Sequence, residues 1–198
     1  HVESEAEEEI SATATYETWR YEDMKLPNDR SKHARRGMIM MDYNTYPGEV
    51  KLHRDIVEPG EGGVVFYHRN QQETVFDFQV HQQELEPVRD TMYDRLAGLT
   101  FGGLLTGDNL TADGTTKGEY AHTPFRGWRY TSKTPARRHH LSLYTHIEQV
   151  ANVKTWRNGL NRLASAQHPT PEEAWQKNLE WWENFWDRSH IVINPDEA

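Results

Sequence analysis

The sequence contains no cysteine. Disulfide bonds, thiolate metal sites and cysteine nucleophiles are therefore excluded. It also has no run of about 18 apolar residues, so no segment is predicted to span a membrane. Basic residues are in the minority, 22 against 31 acidic ones, and the net charge is −9. Because phosphate binding needs clustered Lys and Arg, this balance disfavours nucleic acid as a partner.

Several signatures of catalysis are absent as well. The sequence has neither a Gly-x-Ser-x-Gly nucleophile elbow nor a Gly-rich phosphate-binding motif. Its 11 histidines do not follow the spacing of a metal site. His140 and His146 share one face of a predicted strand, but six residues of strand would separate them by about 20 Å. Neither a metal ion nor a cofactor is predicted.

The sequence is instead rich in short β-forming segments, which carry β-branched and aromatic residues between turn formers. The predicted strands are residues 10–20, 38–43, 50–57, 64–69, 74–82, 99–105, 127–131 and 139–147. In the fifth of these, Phe76, Phe78 and Val80 alternate with polar residues, which indicates a half-buried strand. We expect residues 1–9 to fray, residues 86–96 to form a short helix and residues 108–123 to form a loop.

After residue 150 the apolar period changes from two to 3.6, which predicts helices. The first covers residues 153–165. The second begins with Thr170, Pro171 and Glu173, which match a capping box with proline at the first helical position. Its apolar face carries Trp175, Leu179, Trp182 and Trp186. The predicted fold is therefore mainly β, an antiparallel β-sandwich in residues 1–150 followed by linker helices in residues 151–198.

Five groups of motifs support a more specific hypothesis. They are residues 41–43 with the turn at 47–48 and Val50, the pair Arg54-Asp55, and residues 63–70, 100–104 and 181–189. In this order they resemble the N-terminal β-sandwich and linker helix of family 95-type glycoside hydrolases, the α-L-fucosidase group, in a branch common in Bacteroidetes. The resemblance covers most of residues 10–193.

The resemblance implies a super-sandwich that lacks the family's opening strands, and a linker that leads to an (α/α)6 catalytic domain outside this sequence. Since the family's catalytic carboxylates lie in that domain, no catalytic residue is carried over. The expected function is that of a non-catalytic part of a glycoside hydrolase, acting in polysaccharide or glycan breakdown. The expected location is periplasmic or extracellular, and the expected partner is a glycan or the adjoining catalytic domain.

Two segments are predicted to contact carbohydrate. One is the polar cluster His68, Arg69 and Asn70 at the end of a strand, whose side chains can hydrogen-bond sugar hydroxyls. The other mixes aromatic residues with arginines and contains Trp128 and Tyr130, whose rings could stack on a sugar.

Two alternatives remain open from the sequence. The chain could be a free-standing carbohydrate-binding module, with Arg69, Trp128 and Tyr130 in its contact surface. Such a module would cover the tryptophans of its last helix with its own sheet. Less favoured is a self-contained hydrolase that uses acids such as Asp55 or Asp108, because two carboxylates would have to lie close together in a cleft.

Overall fold

The computed structural model describes residues 2–25, 51–71 and 74–189. The strands are β1 Val2–Ile10, β2 Thr13–Thr18, β3 Met24–Lys25, β4 Lys51–Leu52, β5 Ile56–Pro59, β6 Gly63–Arg69, β7 Leu99–Gly107, β8 Leu110–Tyr120, β9 Thr123–Ser132 and β10 Ala136–Gln149. The helices are α1 Val75–Gln82, α2 Val153–Ser165 and α3 Pro171–Trp186, with a 3₁₀ helix at Glu86–Thr91. The 3₁₀ helix agrees with the short helix predicted there.

Two antiparallel sheets face each other. One has the strand order β1-β10-β7-β6-β5, the other has the order β2-β9-β8, and β3 and β4 form a small separate ladder. Val64 of the first sheet is buried together with Leu110 and Tyr130 of the second. The fold is thus an antiparallel β-sandwich followed by helices, which confirms the predicted fold class.

Helix α2 covers the other face of the five-stranded sheet. Trp156 and Leu160 are fully buried and pack around Tyr67 of β6. Successive residues of β6 therefore point into two different cores, Val64 into one and Tyr67 into the other. This explains why β6 reads as a nearly continuous apolar run. Helix α2 belongs to the same compact unit as the two sheets, which extends to Ala164.

The predicted strand at residues 74–82 is wrong, because these residues form helix α1. Thr74 is the N-cap: its side chain accepts a hydrogen bond from the Phe76 amide at 3.2 Å, and its own amide donates to Asp77 Oδ2 at 2.9 Å. This capping box starts a helix, and its helical turn buries Phe78 and Val80. Apolar residues that alternate are also spaced by four, so over a segment this short they fit both the strand period of two and the helix period of 3.6.

Two further expectations are corrected. Residues 2–10 do not fray but form β1, which pairs with β10 from Val2 opposite Leu141 onward. The predicted loop at residues 108–123 is largely β8, whose threonines pair with β9 around an irregularity between Ala112 and Thr115. The strand predicted at residues 38–43 lies outside the described residues.

Helix α3 lies in a second compact unit, which begins at Ser165. Its predicted capping box is confirmed: Thr170 Oγ1 accepts from the Glu173 amide at 3.2 Å, and Glu173 accepts from the Thr170 amide at 3.0 Å. The helix buries none of its residues.

Candidate functional site

The polar cluster predicted at residues 68–70 lies at the end of β6, where strand alternation divides it. Arg69 points to the side of α2, because its guanidinium reaches the chain just before that helix. His68 points to the opposite side, where it contacts Asp55. Asn70 follows the strand, and its backbone N–H donates to the Leu99 carbonyl at 2.9 Å. The three residues therefore contribute to two different environments.

Arg69 joins three segments of the fold. Its Nη1 donates to the Gly98 carbonyl at 2.7 Å and to Thr100 Oγ1 at 2.8 Å. Its Nη2 donates to the carbonyls of Val150 at 2.9 Å and Ala151 at 3.1 Å. Both terminal nitrogens are therefore occupied, and the planar guanidinium fixes the start of β7 against the start of α2.

An open cleft of about 610 Å³ lies beside this arginine. Its walls come from the end of β6, the start of α1, the 3₁₀ helix and the turn before β7. The lining residues are Arg69, Asn70, Gln71, Thr74, Asp77, Arg89, Asp94, Ala97 and Gly98. Of the predicted contact residues, the structure places Arg69 and Asn70 here.

The far wall of the cleft is organised by Arg89. Its Nη2 lies 3.1 Å from Asp77 Oδ1 and 3.5 Å from Asp94 Oδ2. The guanidinium carbon sits 4.5 Å from the centroid of the Phe76 ring, in a cation–π contact. Because two arginines and two aspartates line the cleft, the formal charges of the lining cancel.

The two cleft carboxylates also support the backbone. Asp77 Oδ2 caps α1, and Asp94 Oδ1 accepts hydrogen bonds from the amides of Leu96 at 2.8 Å and Ala97 at 3.1 Å. Asn70 Nδ2 donates to the Leu96 carbonyl at 3.1 Å.

His68 takes part in a second, more buried cluster, centred on Asp55. Asp55 Oδ2 accepts from Thr18 Oγ1 at 2.7 Å, and Oδ1 lies 2.9 Å from Arg20 Nε and 3.1 Å from His68 Nδ1. Burial raises the pKa of Asp55, but the hydrogen bonds from His68, Thr18 and Arg20 outweigh it and hold the pKa below its ordinary value. Asp55 is therefore ionised near neutral pH.

Trp128 and Tyr130 lie elsewhere, in β9. Tyr130 is only 1 % exposed, and its hydroxyl donates to the Gly63 carbonyl at 2.7 Å, so it offers no ring face to a sugar. Trp128 is half-buried, 6.3 Å from the Tyr16 ring, with the Arg126 guanidinium 5.3 Å above it. Since Tyr130 points between the sheets while Arg69 points towards α2, a contact surface that joins them does not fit the structure.

Five polar residues of the cleft were not predicted to contact a ligand: Gln71, Thr74, Asp77, Arg89 and Asp94. Three of them lie in or cap α1 or the 3₁₀ helix, and the wrong prediction of a strand at residues 74–82 gave no reason to place them beside Arg69. Thr74 followed three residues later by Asp77 was the available signal, because it satisfies the spacing of a capping box.

The acids proposed for a self-contained hydrolase have different partners in the structure. Asp108 is an exposed residue whose carboxylate lies 3.5 Å from His140 Nδ1, and Asp55 is surrounded by Thr18, Arg20 and His68. Within the part of the chain that the structure describes, no group of three or more His, Asp or Glu side chains could hold a metal ion.

The fold and the cleft define a two-layered β-sandwich domain, with a helix on one sheet and a charge-balanced polar cleft at one end. The chain belongs to the DUF5703 family, described as a domain of unknown function, whose model matches residues 1–191. No curated protein and no solved structure shows significant similarity to it. None of the described helices is long and apolar enough to cross a membrane.

Proposed function

We propose that this chain is the non-catalytic β-sandwich and linker part of a glycoside hydrolase that acts in glycan breakdown outside the cytoplasm. The observation that carries the proposal is the aromatic face of α3. Trp175, Trp181, Trp182 and Trp186 are between 43 % and 60 % exposed. The described part of this unit is one helix, which cannot bury such a face by itself, and large exposed apolar patches mark interaction sites. An adjoining helical catalytic domain is the partner that the resemblance to family 95-type enzymes implies.

The state of the carboxylates supports a non-catalytic role. A glycosidase needs a general acid that keeps its proton near neutral pH, which requires a raised pKa. The pKa of Asp55 is lowered instead. The cleft acids Asp77 and Asp94 are both ion-paired with Arg89, and each also accepts a backbone hydrogen bond, so both carboxylates already have structural partners.

The cleft supports a glycan as ligand. Its formal charges cancel, so it offers neither a strong anion site nor a strong cation site. Its lining contains both hydrogen-bond donors and acceptors, among them the side-chain amides of Asn70 and Gln71. An uncharged, polyhydroxylated molecule matches this chemistry better than a phosphate or a metal ion.

The test compares two proteins on one panel of glycans and aryl glycosides. One is the 198-residue chain, and the other is the complete product of the gene that encodes it. We expect the gene product to hydrolyse a glycan and the chain to hydrolyse none. Turnover by the chain itself that is abolished by Asp55→Asn or Asp108→Asn would promote the hydrolase alternative. A gene product that hydrolyses nothing would overturn the proposal.

A free-standing carbohydrate-binding module is the second candidate, and the open cleft is the observation that favours it. The two candidates differ in the role of α3. As a linker helix it must support an adjoining domain, so replacing Trp182 by Ala should reduce hydrolysis by the gene product without changing glycan binding by the chain. In a free-standing module there is no adjoining domain for the substitution to disturb.

A further inference from the structure

The outer face of the three-stranded sheet carries aromatic and charged residues that neither core uses. In β9, Tyr130 points inward, so Phe125, Gly127 and Arg129 alternate to the outside. The ladder places Gly127 opposite both Glu17 of β2 and Thr116 of β8. These positions form one continuous outer surface that crosses all three strands.

Two stacked rings stand at one end of this surface. Tyr120 and Phe125 have ring centroids 4.9 Å apart and planes 17° apart. The Phe125 ring lies directly over Gly118, where an added Cβ would meet its Cζ at 2.5 Å. The rings therefore lie low on the sheet. Tyr120 is nonetheless 65 % exposed, as is Trp19, which directly follows β2.

The turn that precedes β9 fixes Tyr120. Ala121 and His122 have φ values of 46° and 67°, and positive φ at both central residues is what a two-residue type I′ hairpin requires. Tyr120 then pairs with Thr123 across the hairpin. Its hydroxyl donates to Glu17 Oε2 at 3.2 Å, which holds the side chain across the sheet.

Charged groups continue the surface beyond the rings. Arg129 Nη2 donates to Asp113 Oδ2 at 2.6 Å. Together with Glu17, these groups give the outer surface two carboxylates and one guanidinium, all exposed. Between them lies Gly127, where a Cβ would come within 2.8 Å of the methyl groups of both Thr116 and Thr15. The middle of the outer surface is therefore formed by glycine and threonine, with hydrogen-bonding groups on either side.

We infer that this outer face, centred on Tyr120, Phe125 and Glu17, is a saccharide-binding surface distinct from the cleft. A pyranose has a flat C–H face, which suits an exposed aromatic ring, and a rim of hydroxyls, which suits carboxylate acceptors. The excess of carboxylates favours a neutral glycan over an anionic one. A protein partner is disfavoured because charged residues are depleted at the centre of protein interfaces. The class of ligand, though not the position of the surface, rests on the proposed role in glycan breakdown.

The test measures the affinity of the 198-residue chain for cellohexaose, xylohexaose and mannohexaose, with hexagalacturonate as the anionic probe. We expect at least one neutral probe to bind and hexagalacturonate to bind more weakly. Tyr120→Ala should weaken the neutral probe at least about tenfold, whereas Tyr120→Phe keeps the ring and should stay within about threefold of wild type. Because Tyr120 is exposed, both variants should fold, which circular dichroism verifies.

Two controls separate this surface from the rest of the chain. Trp175→Ala removes a similarly exposed ring from α3 and should not reproduce the loss seen with Tyr120→Ala, whereas Asn70→Ala reports separately on binding at the cleft. If binding survives Tyr120→Ala and is lost with Asn70→Ala, the inference is overturned while the proposed function stands. Absence of binding to every probe also overturns it, and the hydrolysis assay on the gene product then decides the proposed function separately. If Tyr120→Ala spares glycan binding but abolishes self-association in sedimentation, the face is a protein interface instead.

Discussion

At the scale of single residues, the buried charges of this protein are held by several partners each. Asp55 accepts hydrogen bonds from three side chains, and Arg69 donates to four oxygens in two other segments of the chain. Arrangements of this kind are costly to disrupt, because removing one partner leaves a buried polar group unsatisfied. These residues therefore hold the end of β6 in place, and the cleft beside it takes its shape from them.

Asp55 should give stability a specific dependence on pH. Its native pKa is lowered, while the unfolded chain protonates aspartate near pH 4. The stabilisation from its carboxylate is therefore complete above about pH 4 and is lost as the pH falls through the lowered native pKa. Asp55→Asn should reduce the free energy of unfolding at pH 7 by about 2–3 kcal/mol, and by less at lower pH.

Urea denaturation between pH 3 and pH 7 measures this difference. Asp108→Asn is the matched control, since its carboxylate is exposed; its unfolding curve should follow wild type at every pH. Parallel curves for wild type and Asp55→Asn would contradict the role assigned to Asp55.

Two glycines with positive φ allow the cost of backbone strain to be measured separately from the cost of a steric clash. Gly98 and Gly114 both have positive φ, 68° and 77°. A Cβ on Gly98 would lie 2.7 Å from the Val150 carbonyl oxygen and 3.1 Å from Arg69 Nη2, whereas Gly114 has nothing within 4 Å. Gly114→Ala should cost about 1–2 kcal/mol for the left-handed backbone alone. Gly98→Ala should cost clearly more in thermal unfolding, and equal losses would show that Arg69 and Val150 are not held tightly.

At the scale of elements, prediction from the sequence succeeded where the apolar pattern was long or where two independent signals agreed. The capping box and the aromatic period of α3 agreed with each other, and β6, β7 and β10 were rich in β-branched or aromatic residues. At α1 the eight-residue segment satisfied both periods, and the capping residue Thr74 decided in favour of a helix. In β8, glycine and aspartate suggested a loop, but pairing with β9 overrides such composition.

The candidate site was predictable only in part for the same reason. Arg69 and Asn70 follow directly from the end of β6, but the opposite wall depends on how α1 and the 3₁₀ helix return over the strand. No local pattern encodes that contact. Tyr130 was placed on a surface because its strand was correct but the direction of its side chain was not, and a one-residue offset in alternation moves a ring from surface to core.

Loss of a tryptophan should lower the free energy of unfolding much more in α2 than in α3. Trp156 of α2 is fully buried, and Trp156→Ala should cost about 3–5 kcal/mol. The sequence alone suggests that Trp182→Ala is equally damaging, but Trp182 is 43 % exposed and α3 buries no residue. Trp182→Ala should therefore change the free energy of unfolding of this chain by less than about 1 kcal/mol. Chemical denaturation of both variants measures this, and a large loss for Trp182→Ala would show that the chain covers α3 itself.

At the scale of the whole molecule, the described residues cover both faces of the five-stranded sheet. One face of the five-stranded sheet packs on the second sheet and the other on α2. The cleft, the outer face of the three-stranded sheet and the aromatic side of α3 remain available to partners. These are the surfaces on which the proposed glycan ligand and the proposed adjoining domain would bind.

We propose above all that this chain binds glycan and does not cleave it. Proton NMR of a neutral hexasaccharide mixed with the 198-residue chain tests both halves in one sample. We predict saturation transfer from the protein to the sugar ring protons, with the reducing-end anomeric signals constant in intensity over days. New anomeric signals that grow with time and vanish with Asp55→Asn would contradict the claim, and so would the absence of saturation transfer to any neutral glycan.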